Sequence, residues 1–262
     1  TAAIQHSEAD PVAVLITFLI RFAAEVGSDP IIYIGDAKHY ARINAVLTGA
    51  SSKSRKGTSV NPIDRLFAHI GDDYVPARIS PGPLSSGEGL IYNVRDQVLE
   101  WGIVDRSSSE KGWIVADPGV TDKRLCIIDE EFGSALTCTK REGNTLSTII
   151  RQIWDHGNLE PLTKNNRIKA TNAHICILVH ITMHELQLRM HDNEALNGFA
   201  NRLLWVCVRR KKMVARPMPM PDDVVEHLHG LIINALKKAH THKTMEFSDA
   251  SWALWEKIYP HL

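Results

Sequence analysis

The sequence predicts an α/β fold, a mainly parallel sheet flanked by helices, and three stretches carry that prediction. Arg124-Leu-Cys-Ile-Ile-Asp129-Glu130-Glu131 runs four apolar residues straight into three acids. Such a run suits a strand buried on both faces, with its acids emerging at the carboxyl end, where open α/β sheets bind ligands. Ile43–Thr48 reads as a second short apolar strand. It runs into the small, basic segment Gly49-Ala-Ser51-Ser52-Lys53-Ser-Arg55-Lys56-Gly57-Thr58-Ser59. His174–Ile181 is a third buried strand, and helical patterns alternate with all three, as in a helix-layered parallel sheet.

Taken in order, Asp10-Pro11 marks the start of a helix that runs to about Val26. Its apolar stretch Val12–Ile20 is stopped by Arg21, far short of the roughly 20 residues needed to span a bilayer. Extended segments follow at Ile31–Ile34 and Tyr40–Thr48. After the basic segment, Pro62 fits an early helical turn, and Ile63, Leu66, Phe67 and Ile70 share one face. Pro76–Pro83 is extended or turning, and Ser85-Ser86-Gly-Glu88 opens another helix. Glu100–Asp122, with Ser107-Ser108-Ser109, reads as a polar, disordered loop. Helices follow the acidic strand as far as Trp154, and residues 155–171 read as a hairpin. Met183–Met190 and Asn193–Ala200 are helical, and Arg202–Val208 is a further strand. The division expected is a core over 1–215, including the N-terminal helix, and a helical tail over 216–262 beyond the Pro-rich link Arg216–Pro221.

Strand, small-residue basic loop and helix, in that order, make a phosphate cradle. Backbone N–H groups and a helix N-terminus face the anion, a lysine neutralises it and a hydroxyl reaches the metal. The loop departs from G-x-x-x-x-G-K-[ST], because Lys56 precedes Gly57. Gly49, Ser51, Ser52 and Gly57 are therefore expected to shape the cradle. Lys56 or Lys53 is expected to meet phosphate, and Thr58 or Ser59 magnesium. In the acidic strand, Asp129 is the metal-linked carboxylate and Glu130 the group that orients the attacking water, with Glu131 its rival. Together these read as Walker A-like and Walker B-like segments of a P-loop NTPase core of the RecA/AAA type, expected to use a nucleotide and magnesium. The loop and the acids are expected at adjacent sheet tips. His180 or Thr182, at the end of the third strand, is the candidate sensor of the terminal phosphate. Each also has a plainer account: a solvated Ser/Lys loop, an acidic turn, a capped strand end.

Gly49–Ser59, Leu84-Ser-Ser-Gly-Glu-Gly-Leu-Ile91, Arg124–Phe132, Arg141-Glu-Gly-Asn-Thr-Leu-Ser147 and Asn197-Gly-Phe-Ala-Asn-Arg202 together resemble the motifs of the YfjI-like family. These are bacterial P-loop NTPases of prophages and plasmids, often joined to primase-like modules. The resemblance runs from about Asp10 to Lys211 and includes the inverted Lys-Gly order. It implies ATP hydrolysis in a helicase-like replication protein of a mobile element. It also implies a role for Arg202 at a nucleotide, across a subunit interface, and a primase-like partner; the plainer account of Arg202 is an ion pair with a structural acid such as Glu194. Glu88 stands out in the same motifs, although a helix-start acid beside the macrodipole accounts for it.

Thirty basic residues balance thirty acidic ones, so any nucleic-acid surface must be a local patch. Lys164, Arg167 and Lys169 on the expected hairpin are the better candidates for single-stranded DNA in a ring-shaped oligomer, and Arg209-Arg-Lys-Lys212 the lesser. Cys126, Cys138, Cys176 and Cys207 lack metal-site spacing and read as reduced thiols of a cytoplasmic protein. His180/His184, His227/His229 and His240/His242 lack the partners of a metal site. Beginning at Thr1, the chain is expected to be a piece of a longer protein. The rival reading is a non-catalytic nucleotide-binding or scaffold module that serves a primase.

Overall fold

A computed structural model describes residues 2–50, 54–68, 74–105, 110–161, 168–190 and 198–261. The central sheet has five parallel strands: β3 (Asn44–Gly49), β4 (Arg78–Ser80), β7 (Arg124–Asp129), β8 (His174–Thr182) and β9 (Leu204–Cys207). Across the sheet their order is β4-β7-β8-β3-β9. β3 is buried along its whole length, as an apolar run between two helical layers must be.

Alternate residues feed the two layers. Val46, Leu125, Ile127, Ile175, Ile177 and Val179 form one core with residues of α3 (Gly87–Asn93), α4 (Phe132–Thr139) and α5 (Leu146–Asp155). Ala45, Leu47, Cys126, Ile128, Cys176 and Leu178 pack on α1 (Pro11–Val26). α1 starts as its sequence foretells. Pro11 opens it, and the Asp10 carboxylate accepts from Val12 N at 3.0 Å. α2 (Val60–Phe67) follows the basic loop on this same face, with Ile63, Leu66 and Phe67 buried. α6 (Met183–Arg189) leads from β8 toward β9.

The tail is anchored to the core. α7 (Asp222–Thr241) buries Val225, Ile232 and Leu236 in a cluster with residues of α1 and α2. β10 (Thr244–Met245) extends a small sheet in the order β10-β1-β2, built on β1 (Ile31–Ile34) and β2 (Ala37–Tyr40). Only α8 (Asp249–Ile258) has no buried residue among the tail helices.

The stretch from Glu100 contains a two-stranded antiparallel ribbon, β5 (Val98–Asp105) and β6 (Glu110–Asp117), in place of a disordered loop. Trp101 and Trp113 face each other across it, edge to face, with centroids 5.6 Å apart. Of the expected hairpin at 155–171, the described part shows a single antiparallel bridge, Leu159 to Ala170.

A buried polar cluster ties α1 to the sheet. Arg21 and Glu25, both almost fully buried, pair at 2.8 Å. Glu25 also accepts from Ala77 N at 2.7 Å, just before β4, and from the Tyr74 hydroxyl at 3.2 Å. Removing one partner strands a buried charge, whereas replacing both with apolar groups does not. Glu25→Ala is expected to cost about 3–5 kcal/mol in denaturant unfolding, and Arg21→Met with Glu25→Leu to recover most of that loss. Equal losses in the single and double variants would contradict this account.

Candidate functional site

Because all five strands are parallel, β3, β7 and β8 send their exits to one edge. β8 lies between the other two, so the loop strand and the acidic strand are not neighbours, as the sequence suggested, but flank the strand that carries His180. What closes the gap is the loop itself.

The described part of the loop begins at Ser54, which packs back on Gly49 at the end of β3 and is buried. Ser51, Ser52 and Lys53 lie outside the described residues. Arg55 takes a left-handed turn (φ 55°) and pairs with Glu8 at 2.9 Å. Gly57–Ser59 form a 3-10 turn that feeds α2, with Lys56 at its cap position.

The three residues of that turn point three ways. Gly57 faces Glu130: a Cβ there would lie 2.9 Å from the Glu130 Oε1, the far end of an exposed side chain. Thr58 borders a cavity of about 300 Å³ between the N-terminal segment and the Pro-rich link. Ser59 faces α1, is fully buried, donates its hydroxyl to the Lys56 carbonyl at 2.7 Å and lies 3.1 Å from the Thr17 hydroxyl. Ser59, one of the two magnesium candidates of the loop, therefore turns away from the acidic strand. Gly57 occupies the position facing it.

Asp129 is 2% exposed. Its Oδ2 accepts from Leu84 N at 3.0 Å and its Oδ1 from Glu131 N at 2.9 Å. It thus clips the loop between β4 and α3 onto the tip of β7. Gly82, in that loop, approaches so closely that a Cβ would lie 2.9 Å from the Asp129 carboxyl carbon, and its φ of 79° suits glycine alone. Asp129, Glu130 and Glu131 border an open cleft of about 700 Å³, with Val60 and Asp64 of α2 opposite. Burial pushes the Asp64 carboxyl above its usual range, and the Arg21 charge opposes that rise.

His180 is 2% exposed, and its Nε2 has no hydrogen-bond partner among the described residues. Burial holds its pKa down at about 4, and the positive charge of Lys56 pushes the same way. Burial also lowers the Lys56 ammonium. The charge of the loop lysine is thus felt at the β8 histidine. Thr182, the other candidate on this strand, is the N-cap of α6 and accepts from Glu185 N at 3.2 Å.

Other candidates fall elsewhere. Arg202 precedes β9 at the opposite, amino edge of the sheet. It pairs with Asp155 at 3.0 Å and donates to the Gly198 carbonyl at 2.9 Å, so it does not join the site of its own chain. Lys169 is exposed at that same edge, its carbonyl accepting from Asp96 N, while Lys164 and Arg167 lie outside the described residues. Glu88 accepts from the Thr145 hydroxyl at 2.9 Å, bridging α3 to the start of α5. The basic run after β9 is tied to the N-terminal segment. Arg209 N donates to Asp10 at 2.9 Å, Arg210 pairs with Glu8 at 3.7 Å, and Lys212 donates to the Gln5 carbonyl at 2.7 Å. Sequence reasoning missed Glu8, which holds Arg55, Arg210 and Val214 N together. Nothing local in its spacing announces that role.

The donor set fits an anion beside Lys56. For a divalent ion, no group of three or more His, Cys, Asp or Glu side chains is preassembled among the described residues. Magnesium at a nucleotide site needs only one or two carboxylates together with phosphates and water. Comparison with protein-family models gives no match, and comparison with curated proteins gives none either.

His174 resembles His180 in one respect: burial holds its pKa at about 4, against a hydrogen bond to the Ala23 carbonyl that raises it. Unfolded, both rings take a proton near 6.5. Between about 6.5 and 4 the unfolded chain binds more protons, so stability is complete above that window and is lost as the pH falls through it. Each ring contributes a slope of up to about 1.4 kcal/mol per pH unit. Urea midpoints are expected to fall across this window, and less steeply in His180→Gln. Midpoints independent of pH between 6.5 and 4 would contradict the buried, neutral histidines.

Proposed function

We propose that this chain is an ATP-hydrolysing P-loop NTPase whose phosphate site lies at the carboxyl edge, between the turn after β3 and the tips of β7 and β8. The observation that carries the reading is the convergence on that turn. Gly57 abuts Glu130, and Lys56 lies close enough to His180 to depress its protonation. A half-buried lysine gives the phosphates a cation in a partly desolvated setting, where a charge-assisted contact is worth about 1.5–3 kcal/mol. His180 keeps a neutral ring with an unmade hydrogen bond, available to a phosphate oxygen or to the attacking water. Glu130, exposed beside the turn, would orient that water and accept its proton. Asp129 would hold a magnesium ion through the ion's own waters, since both its oxygens already accept backbone N–H groups. When bound, magnesium neutralises charge on the transferring phosphoryl group.

The family resemblance extends this to a helicase-like replication ATPase of a mobile element, working with a primase-like partner. In that setting Arg202, at the far edge of the sheet, meets a nucleotide only if a neighbouring copy presents it in a ring.

One observation favours the rival reading, a nucleotide-binding module without turnover. The Ser59 hydroxyl is committed to Lys56 and Thr17, and the Thr58 side chain borders the opposite cavity.

A phosphate-release assay with magnesium and ATP, with and without single-stranded DNA, separates the two. Glu130→Gln is expected to lower turnover by about 100-fold or more with nucleotide affinity retained. Lys56→Ala is expected to weaken binding itself by about tenfold or more. Release by Glu130→Gln equal to that of the unaltered chain would remove the assignment. Binding without any release would favour the module.

A further inference from the structure

The 57–59 turn stands between two hollows of opposite character. On one side lies the acidic cleft of Asp64, Asp129, Glu130 and Glu131. On the other lies the cavity of about 300 Å³ that Thr58 borders, and none of its lining residues is acidic. Its walls are apolar slabs. Ala2 and Ala3 of the N-terminal 3-10 turn (Ala2–Ile4) form one wall, and Met218, Pro219 and Met220 of the Pro-rich link form another. Polar edges come from Gln5, His6 and Asn61. Arg65 of α2 closes it, donating to the Met220 carbonyl and pairing with Asp222, so the link is held against α2.

This cavity shares Thr58 with the turn capped by Lys56. We infer that it is the nucleobase pocket of the phosphate site, and that it takes adenine in preference to guanine. The inference rests on the phosphate site proposed above. A flat purine suits a slot of apolar side chains, and methionine sulfur is a soft, polarisable neighbour for its face. Guanine's Watson–Crick edge presents two adjacent donor groups, which a carboxylate satisfies best, and the lining offers none. Adenine presents one donor and one acceptor, which an amide such as Gln5 or Asn61 matches. The tie between Arg65 and the link makes the pocket part of the folded core, and α7, which the link leads into, becomes its outer support.

The test is equilibrium binding of fluorescent ATP and GTP analogues to the full chain, with competition by magnesium tripolyphosphate, which has phosphates and no base. ATP is expected to bind at least about tenfold more tightly than GTP. Ala3→Trp, which fills the slot, is expected to weaken ATP by a similar factor while tripolyphosphate competes as before. Met218→Trp, at a half-exposed wall position that does not endanger folding, is expected to act the same way. Equal affinity for ATP and GTP would overturn the pocket, and so would unchanged ATP binding in both variants, each with the phosphate site left standing. If tripolyphosphate and ATP both fail to bind the unaltered chain, the phosphate site falls, and the pocket with it.

Discussion

Five strands running the same way put every strand exit on one edge of the sheet, and this constraint arranges everything else in the molecule. β3, β7 and β8 are buried by helices on both faces, so their polar residues can collect only where the strands end. There the loop after β3 must cross in front of β8 to approach the acids of β7. The 3-10 turn Gly57–Ser59 brings Gly57 against the Glu130 carboxylate.

The same edge shows how charged side chains fix the backbone around them. Asp129 spends its carboxylate on backbone N–H groups and fixes the β4–α3 loop. Glu8 gathers Arg55, Arg210 and Val214 N, so the N-terminal segment is held between the loop and the exit of β9. Burial and the charge of Lys56 both hold the His180 ring below its usual pKa, so this edge disfavours a second positive charge. The acids and the cavity that Thr58 borders have separate linings on α2, Val60 and Asp64 for the one, Asn61, Pro62 and Arg65 for the other.

Much of the fold was legible in the sequence, because burial on two faces writes continuous apolar runs. β3, β7 and β8 announced themselves that way, and the Asp10-Pro11 start of α1 followed from capping chemistry. The β5–β6 ribbon did not. Its apolar residues stand largely exposed, Gly102 and Gly112 break its alternation, and the serines between the strands carry the composition of disorder. Within the site, Glu130 and His180 were legible as residues at the ends of apolar strands. The directions of Thr58 and Ser59 were not, because a rotation of one residue around a helical turn decides which hydroxyl faces the acids, and α1 supplies the Thr17 contact from far away in the chain. Arg202 was placed by motif alone, and only tertiary structure reveals Asp155 as its partner at the opposite edge.

The claim beneath the whole account is that Lys56 and His180 face one anion-binding space. The most direct measurement is the NMR titration of the His180 ring, assigned by comparison with His180→Gln, with and without magnesium tripolyphosphate. Without the anion the ring is expected to titrate at about 4, held down by burial and by Lys56. A bound polyphosphate would offset the lysine charge and offer an acceptor to the protonated ring, so the midpoint is predicted to move upward. A midpoint unmoved by saturating tripolyphosphate, with the Lys56→Ala chain behaving identically, would contradict the shared pocket.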